Sequence, residues 1–227
     1  AYVRAWEEQN RHVAEVLASR EIGTPEVGRL LFVEHDPVIT VSNRPGAGAN
    51  LIAGPVELEA QGVAVERTDR GGEITYHGPG QQVVYPILDL NVLNLGLHAY
   101  MRLLECAVID TCAAFGVGAR RDAAATGVWV GEPGAKICAM GVRVRKWVSM
   151  HGLALNVTTH LGHFDLIIPC GLKGRPVTSL ARELEARGRR VPVMDVVMRQ
   201  LGADLDRHIS EALSEAERKR ADVERAS

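Results

Sequence analysis

Apolar positions recur at helical spacing at the start of the chain, where Val3, Trp6, Val13 and Leu17 stand among charged residues and predict an amphipathic helix ending before Gly23-Thr24-Pro25. The period then shortens. Gly28–Glu34 and Val38–Ser42 are apolar, β-branched runs separated by the turn signal His35-Asp36-Pro37, which predicts a strand pair. The segment Arg44–Pro55 is rich in Gly, Pro, Ala and Asn and reads as a loop; Val63–Arg67, Glu73–His77 and Gln82–Leu88 read as three more strands. Leu97, Met101, Leu104, Val108, Cys112 and Phe115 mark the buried face of a long helix that stops at Gly116. Strand patterning resumes at Gly127–Val130, turns at Glu132-Pro133-Gly134 and continues over Ala135–Val148, where Val142 and Val144 alternate with Arg143 and Arg145; Gly152–Val157 is another short strand. Helices are predicted to begin near Thr178 or Ser179 and near Asp195, and Glu211–Ser227 is a charged, exposed helical tail. Strands clustered in the middle, with helices at both ends and one between, predict an α+β fold with a mixed sheet.

Composition narrows the function classes. The 227 residues contain no Pro/Ser-rich spacer, low-complexity run or internal repeat, so a single domain spanning 1–227 is expected. Hydrophobic residues make up 46% and charged residues 24%, and no apolar run approaches the roughly 18 residues that span a bilayer. The opening is amphipathic and the sequence contains no signal-peptide apolar region, so a cytoplasmic location is expected. A net charge of −2 gives no nucleic-acid footprint. Between Arg143 and Arg190, however, nine Lys/Arg face three acids, a local +6 that suits an acidic partner. The four cysteines, Cys106, Cys112, Cys138 and Cys170, form no CxxC pair and read as free thiols.

Candidate chemistry sits in three places. Arg70–Gln81, RGGEITYHGPGQ, joins the glycines Gly71 and Gly72 to the turn Gly78-Pro79-Gly80. Between them Ile74 and Tyr76 alternate with Glu73, Thr75 and His77. A tight hairpin would explain this much; a cation and a titratable ring at Arg70 and His77 bracketing the strand make it a site candidate. Cys170 closes the apolar run Ile167-Ile168-Pro169 at a Cys-Gly turn, where a thiol beside open backbone N–H groups suits acyl transfer, although a buried core cysteine would look the same. Lys136 lies inside the apolar Ala135–Gly141, where it is either an edge-strand lysine facing water or a buried amine with a partner. Together they suggest a Cys/Lys dyad. If Ala135–Gly141 is a regular strand, Lys136 and Cys138 share a face. His151, His160, His163 and Cys170 are a weaker candidate for a zinc site, with His160 and His163 reading more simply as a surface pair.

The blocks RGGEITYHGPGQ, AKICAMGVRVRKWVSMHGLALNV and IIPCG, followed by VTSL, resemble in that order the signatures of the octanoyl-[acyl-carrier-protein]–protein octanoyltransferases, the lipoyl(octanoyl) transferases of lipoate synthesis. The opening YVRAWEEQN, the VITVSNR stretch and GVWV are similar to that family too. The resemblance implies the α+β fold of the biotin and lipoate protein ligase catalytic domain, with a mixed sheet and flanking helices, and an enzyme using neither metal nor nucleotide. It implies that Cys170 takes the octanoyl group as a thioester and that Lys136 is its base. Substrate binding would fall to Arg70, Gly71, Gly72, Glu73, Ile74, Thr75, Tyr76 and His77, joined by Ala139, Met140 and Gly141 and by Gly152, Leu153 and Ala154. The implied donor is octanoyl-acyl-carrier protein; the implied acceptors are lipoyl domains of 2-oxoacid dehydrogenase complexes and the glycine cleavage H protein. Cys138 departs from the family pattern, which has a small apolar residue there. Two other readings stand beside this one: an ATP-dependent lipoate or biotin ligase of the same fold, though the chain has no GxxxxGK[ST] loop, and a non-catalytic module binding acidic carrier domains.

Overall fold

The computed structural model describes residues 1–168 and 175–226. The opening helix α1 (Tyr2–Glu21) buries Tyr2, Gln9, Val13 and Val16, whereas Val3 is 43% exposed, so the apolar stripe starts one residue earlier than the sequence pattern suggests. Strands β1 (Gly28–Val33) and β2 (Val38–Ser42) are adjacent in sequence but enter different sheets. A 3-10 turn at Ala47–Asn50 and the short helix α2 (Pro55–Ala60), with Pro at its first position, occupy the end of the Gly/Pro-rich segment.

Strands β3 (Ala64–Thr68) and β4 (Ile74–His77) flank β2 in a three-stranded sheet, β3 parallel and β4 antiparallel to it. All four residues of β4 are buried, so this strand is covered on both faces rather than half-buried. Gly78-Pro79-Gly80 does not close a hairpin. It carries the chain from the small sheet into β5 (Gln81–Leu88) of a second, larger sheet, with Gly80 at φ +78° and its carbonyl accepting from Val157 and Thr158 N–H.

The larger sheet has the order β1-β5-β9-β8-β7-β6 and is antiparallel throughout. Its remaining strands are β6 (Ala119–Asp122), β7 (Ala125–Val130), β8 (Ala135–Arg145) and β9 (Val148–Asn156). The sequence pattern extends β8 to Val148 because the β8–β9 turn contains neither Gly nor Asn. Lys146 and Trp147 make it instead with φ +49° and +63°. The mixed character of the fold therefore resides in the small sheet.

One face of the large sheet packs on α3 (Leu97–Ala114), α4 (Leu180–Glu185) and α5 (Met194–Ala226). Tyr100, Leu104, Val108 and Cys112 of α3 meet Val197, Leu201 and Leu205 of α5, and Thr111 Oγ1 donates to Asp204 across that seam at 2.9 Å. Ser179 caps α4 by accepting from the N–H of Arg182. α1 covers part of the other face through Val13 and Val16. Beyond Ser210 the only buried residue of α5 is Ala216, so the tail is helical and largely exposed. Among the described residues no helix is long and apolar enough to cross a membrane.

Candidate active site

A cleft opens where β4 of the small sheet meets β8 and β9 on the α1 side of the large one. The cleft, partly open to solvent, lies between Thr75 and His77, the backbone of 139–141, and 152–154. Ten of the sequence candidates line it: Arg70, Gly72, Thr75, His77, Ala139, Met140, Gly141, Gly152, Leu153 and Ala154. Gly71, Glu73, Ile74 and Tyr76 do not. Ile74 and Tyr76 point the other way, into the core of the small sheet, and Tyr76 OH meets His163 Nδ1 at 2.8 Å. Glu73 accepts from Asn50 Nδ2 at 2.6 Å.

Gly71 acts through its backbone. Its N–H donates to Val142 O at 3.0 Å, laying the Arg70–Gly72 segment against β8, and a Cβ on Gly141 would overlap the Gly71 carbonyl. Gly152 faces Gly141 across β8–β9, and a Cβ there would overlap Val84 O. These glycines therefore permit close approach of backbones; the cleft is a consequence of that approach.

Tyr2, Val83 and Tyr85 line the cleft without having been singled out in the sequence, and so does His151, which the sequence offered only as a zinc ligand. Tyr2 stands at the first turn of α1, and only the fold brings it to β4. Burial holds three rings neutral at pH 7: desolvation lowers His77 to about 3 and His35 and His151 to about 4. Their tautomers follow from their partners. His77 Nδ1–H donates to Gln81 Oε1 at 2.7 Å, and His151 Nε2–H donates to Asp69 Oδ1 at 2.8 Å, with Asp69 also ion-paired to Arg143. His35 Nε2 meets Tyr85 OH at 2.7 Å, and burial pushes the Tyr85 hydroxyl above its ordinary pKa. Arg70 donates to Thr40 O at 2.7 Å, fixing a cation in the cleft wall.

The bulge in β8 decides which way Lys136 faces. Val128 pairs with Cys138 and Trp129 with Lys136, so Ile137 is one extra residue opposite β7. Ile137 and Cys138 both enter the helical core, where Val128 and Val130 also point. Lys136 is left on the opposite face with Trp129, the face that Ala139 and Gly141 present to the cleft. The expectation that Lys136 and Cys138 share a face is therefore corrected: it assumed a regular strand, and the inserted residue reverses the alternation. Gly127, at φ +116°, sits opposite this bulge, and a Cβ there would come within 2.6 Å of Cys138 O.

Lys136 is 7% exposed and backbone-bonded on the side away from β7, its N–H donating to Pro176 O and its carbonyl accepting from Thr178 N–H, both at 2.9 Å. A hydrogen-bond chain links it to the cleft wall: Gln81 Nε2 donates to Asn156 Oδ1 at 2.9 Å, and Asn156 Nδ2 to Thr178 O at 3.0 Å. Cys170 lies outside the described residues, as does Lys173.

Cys138 is fully buried, and desolvation raises its thiol pKa far above the ordinary range, so it stays protonated and unreactive. Cys138→Ala is expected to lower stability by about 1 kcal/mol through the small cavity and to keep most of the transfer rate. Thermal melts beside transfer assays check this; a rate loss matching that of Cys170→Ala would make Cys138 the working thiol. Cys106 lies beside Arg121, and Cys112 is buried in the α3 core.

The histidines weighed for zinc are held apart in function. His151 serves Asp69 and His163 serves Tyr76, and among the described residues no cluster of three ligating groups occurs. The basic segment is partly neutralised by acids outside it, Arg143 pairing with Asp69 and Arg175 with Asp122, while Arg187 pairs with Glu183 inside it. Arg145, Lys146, Arg189 and Arg190 remain exposed.

The family described as "Lipoyl protein ligase A/B catalytic domain" matches residues 5–203. An octanoyltransferase of Flavobacterium johnsoniae is 48% identical over 192 residues, covering 81% of this chain and 82% of the relative. One from Bacteroides thetaiotaomicron is 44% identical over 213 residues, 92% of each chain. Among solved structures, a T. acidophilum protein with bound lipoic acid superposes with a TM-score of 0.62 at 19% identity, covering 90% of this chain and 81% of that one, a likeness of fold. The chain belongs to the lipoyl protein ligase A/B catalytic-domain family, on its octanoyltransferase branch.

Proposed function

We propose that this octanoyltransferase takes its acyl group from octanoyl-acyl-carrier protein, holds it as a thioester on Cys170 and delivers it to a lysine of a lipoyl domain, with Lys136 as the base. The observation that carries this reading is the bulge at Ile137, which turns a buried lysine out of the apolar core and onto the cleft face. Strand bulges next to active sites re-aim a side chain in this way.

The steps balance without a cofactor. Lys136, as the free amine, takes the thiol proton and becomes an ammonium; the thiolate attacks the carrier-bound thioester; the C–S bond to the carrier breaks, and the carrier thiolate leaves with the proton that Lys136 returns. The acceptor amine then attacks the Cys170 thioester, forming the amide and releasing the thiol. The cleft between β4 and β8–β9 takes the acyl chain, whose burial contributes about 0.8 kcal/mol per methylene, or roughly 5 kcal/mol over an octanoyl tail. The neutral histidines leave no net charge of their own along that path.

Residues 1–227 act as one catalytic domain in this reading, in the cytoplasm, on lipoyl domains of 2-oxoacid dehydrogenase complexes and of the glycine cleavage H protein. The exposed cations Arg145, Lys146, Arg189 and Arg190 steer such acidic domains toward the enzyme in this reading. A two-donor assay tests the reaction class. Octanoyl-carrier protein with an apo-lipoyl domain and no nucleotide is expected to yield the octanoylated lysine, and free octanoate with ATP to yield none. The reverse pattern would make the protein an ATP-dependent ligase, and transfer from neither donor would make it a binding module.

A further inference from the structure

Trp129 is 1% exposed and stands directly across β7–β8 from Lys136. Lys136 Nζ lies 4.7 Å from the centroid of its ring, where the indole stabilises the ammonium formed when the amine takes a proton, and the Arg175 guanidinium carbon lies 3.8 Å from the same centroid. Two cations thus share one indole. The ring is itself fixed, its Nε1–H donating to Ala125 O at 3.2 Å, and Arg175 is fixed by its ion pair with Asp122. Arg175 also begins the segment whose residues Pro176 and Thr178 hydrogen-bond to the backbone of Lys136.

A lysine head on a flexible four-carbon stem does not hold one position unaided, and a tryptophan face attracts an ammonium through its quadrupole more strongly than the other aromatic rings. Gly127 lies along the stem as well: a Cβ there would sit 3.5 Å from Lys136 Cε. Burial would be served equally by an aliphatic residue on this face; the placement of two cations on the ring would not.

We propose that Trp129 is a positioning residue for acyl transfer, holding the Lys136 amine and, through Arg175, the segment that re-enters the sheet beside it on a single aromatic platform. The inference rests on the reading of Lys136 as the base, and it concerns how that base is placed.

The test is a double-mutant cycle on the single-turnover rate of Cys170 acylation, with Trp129→Leu and Trp129→Phe made in the wild-type chain and in Lys136→Ala. Trp129→Leu is expected to slow acylation about tenfold, the size of a buried cation–π contact, and Trp129→Phe, which keeps a ring, to recover most of that rate. Both lose the Nε1–H bond and leave a smaller side chain, so their melting temperatures should fall together while their rates part. In the Lys136→Ala chain, Trp129→Leu should change the rate by less than about twofold. An equal slowing in both backgrounds, or Leu and Phe variants losing rate in step with stability, would overturn the proposal and leave Lys136 as the base. An unchanged rate for Lys136→Ala would instead remove the base itself, and the proposal with it. Should Trp129→Leu not fold, Trp129→Met, a longer unbranched filler without a ring, takes its place in the same cycle.

Discussion

Lys136→Ala is expected to slow acylation of Cys170 by about 10²–10⁴-fold at neutral pH, the usual contribution of a positioned general base. The defect should be pH-dependent. A thiol without its base ionises near its free value of about 8.5, so the variant gains thiolate as pH rises from 7 to 9 and its deficit against wild type narrows. Packing cannot produce that pattern. Lys136→Met keeps the buried stem against Trp129 and removes only the amine, and it should show the same deficit and the same narrowing. Stopped-flow or quenched acylation across the pH range measures both variants. A loss under tenfold that is the same at every pH would mean that Lys136 serves structure and that another group takes the proton.

Which parts of this site could be read from the sequence depends on whether the signal is local. The alternation of Val142 and Val144 with Arg143 and Arg145 was legible because a strand writes period two into its own residues. The helix of Leu97–Ala114 was legible for the same reason, as was the Ser179 start of α4. The bulge at Ile137 was not. AKICAMG carries no Gly or Pro at the inserted position, and the extra residue is defined by pairing with β7, which lies across a turn rather than within the stretch. Gly127 was its one trace in sequence, and it read simply as the start of a strand.

The role of Gly78-Pro79-Gly80 escaped for a similar reason. The residues announce a turn, but whether the chain turns back into its own sheet or leaves it depends on which strands lie alongside, and here β4 and β5 belong to different sheets. Ile74 and Tyr76 followed the wrong side of the same ambiguity: period two separates the faces of β4 without saying which one meets the cleft and which meets Phe164 and Leu166. Tyr2, Tyr85 and His151 come to the cleft from α1, β5 and β9, and no spacing within any one of these elements marks them. His151 at φ +57° is strained for a non-glycine residue, a feature that only backbone geometry reveals.

The most direct test of the account is the mass of the protein after incubation with octanoyl-carrier protein, with acceptor and nucleotide both withheld. A nucleophile that divides acyl transfer into two steps must accumulate its covalent intermediate under these conditions, because the thioester donor is already activated and the second step has no substrate. Intact-protein mass spectrometry with site mapping should find one octanoyl group, on Cys170. Addition of an apo-lipoyl domain should discharge it onto the acceptor lysine. Cys170→Ala should carry no adduct and lose transfer to background, a fall of about 10⁴-fold or more, as the loss of a nucleophile that acts in both steps requires. An octanoyl group found on another residue, or transfer that proceeds in Cys170→Ala at an appreciable fraction of the wild-type rate, would contradict the account.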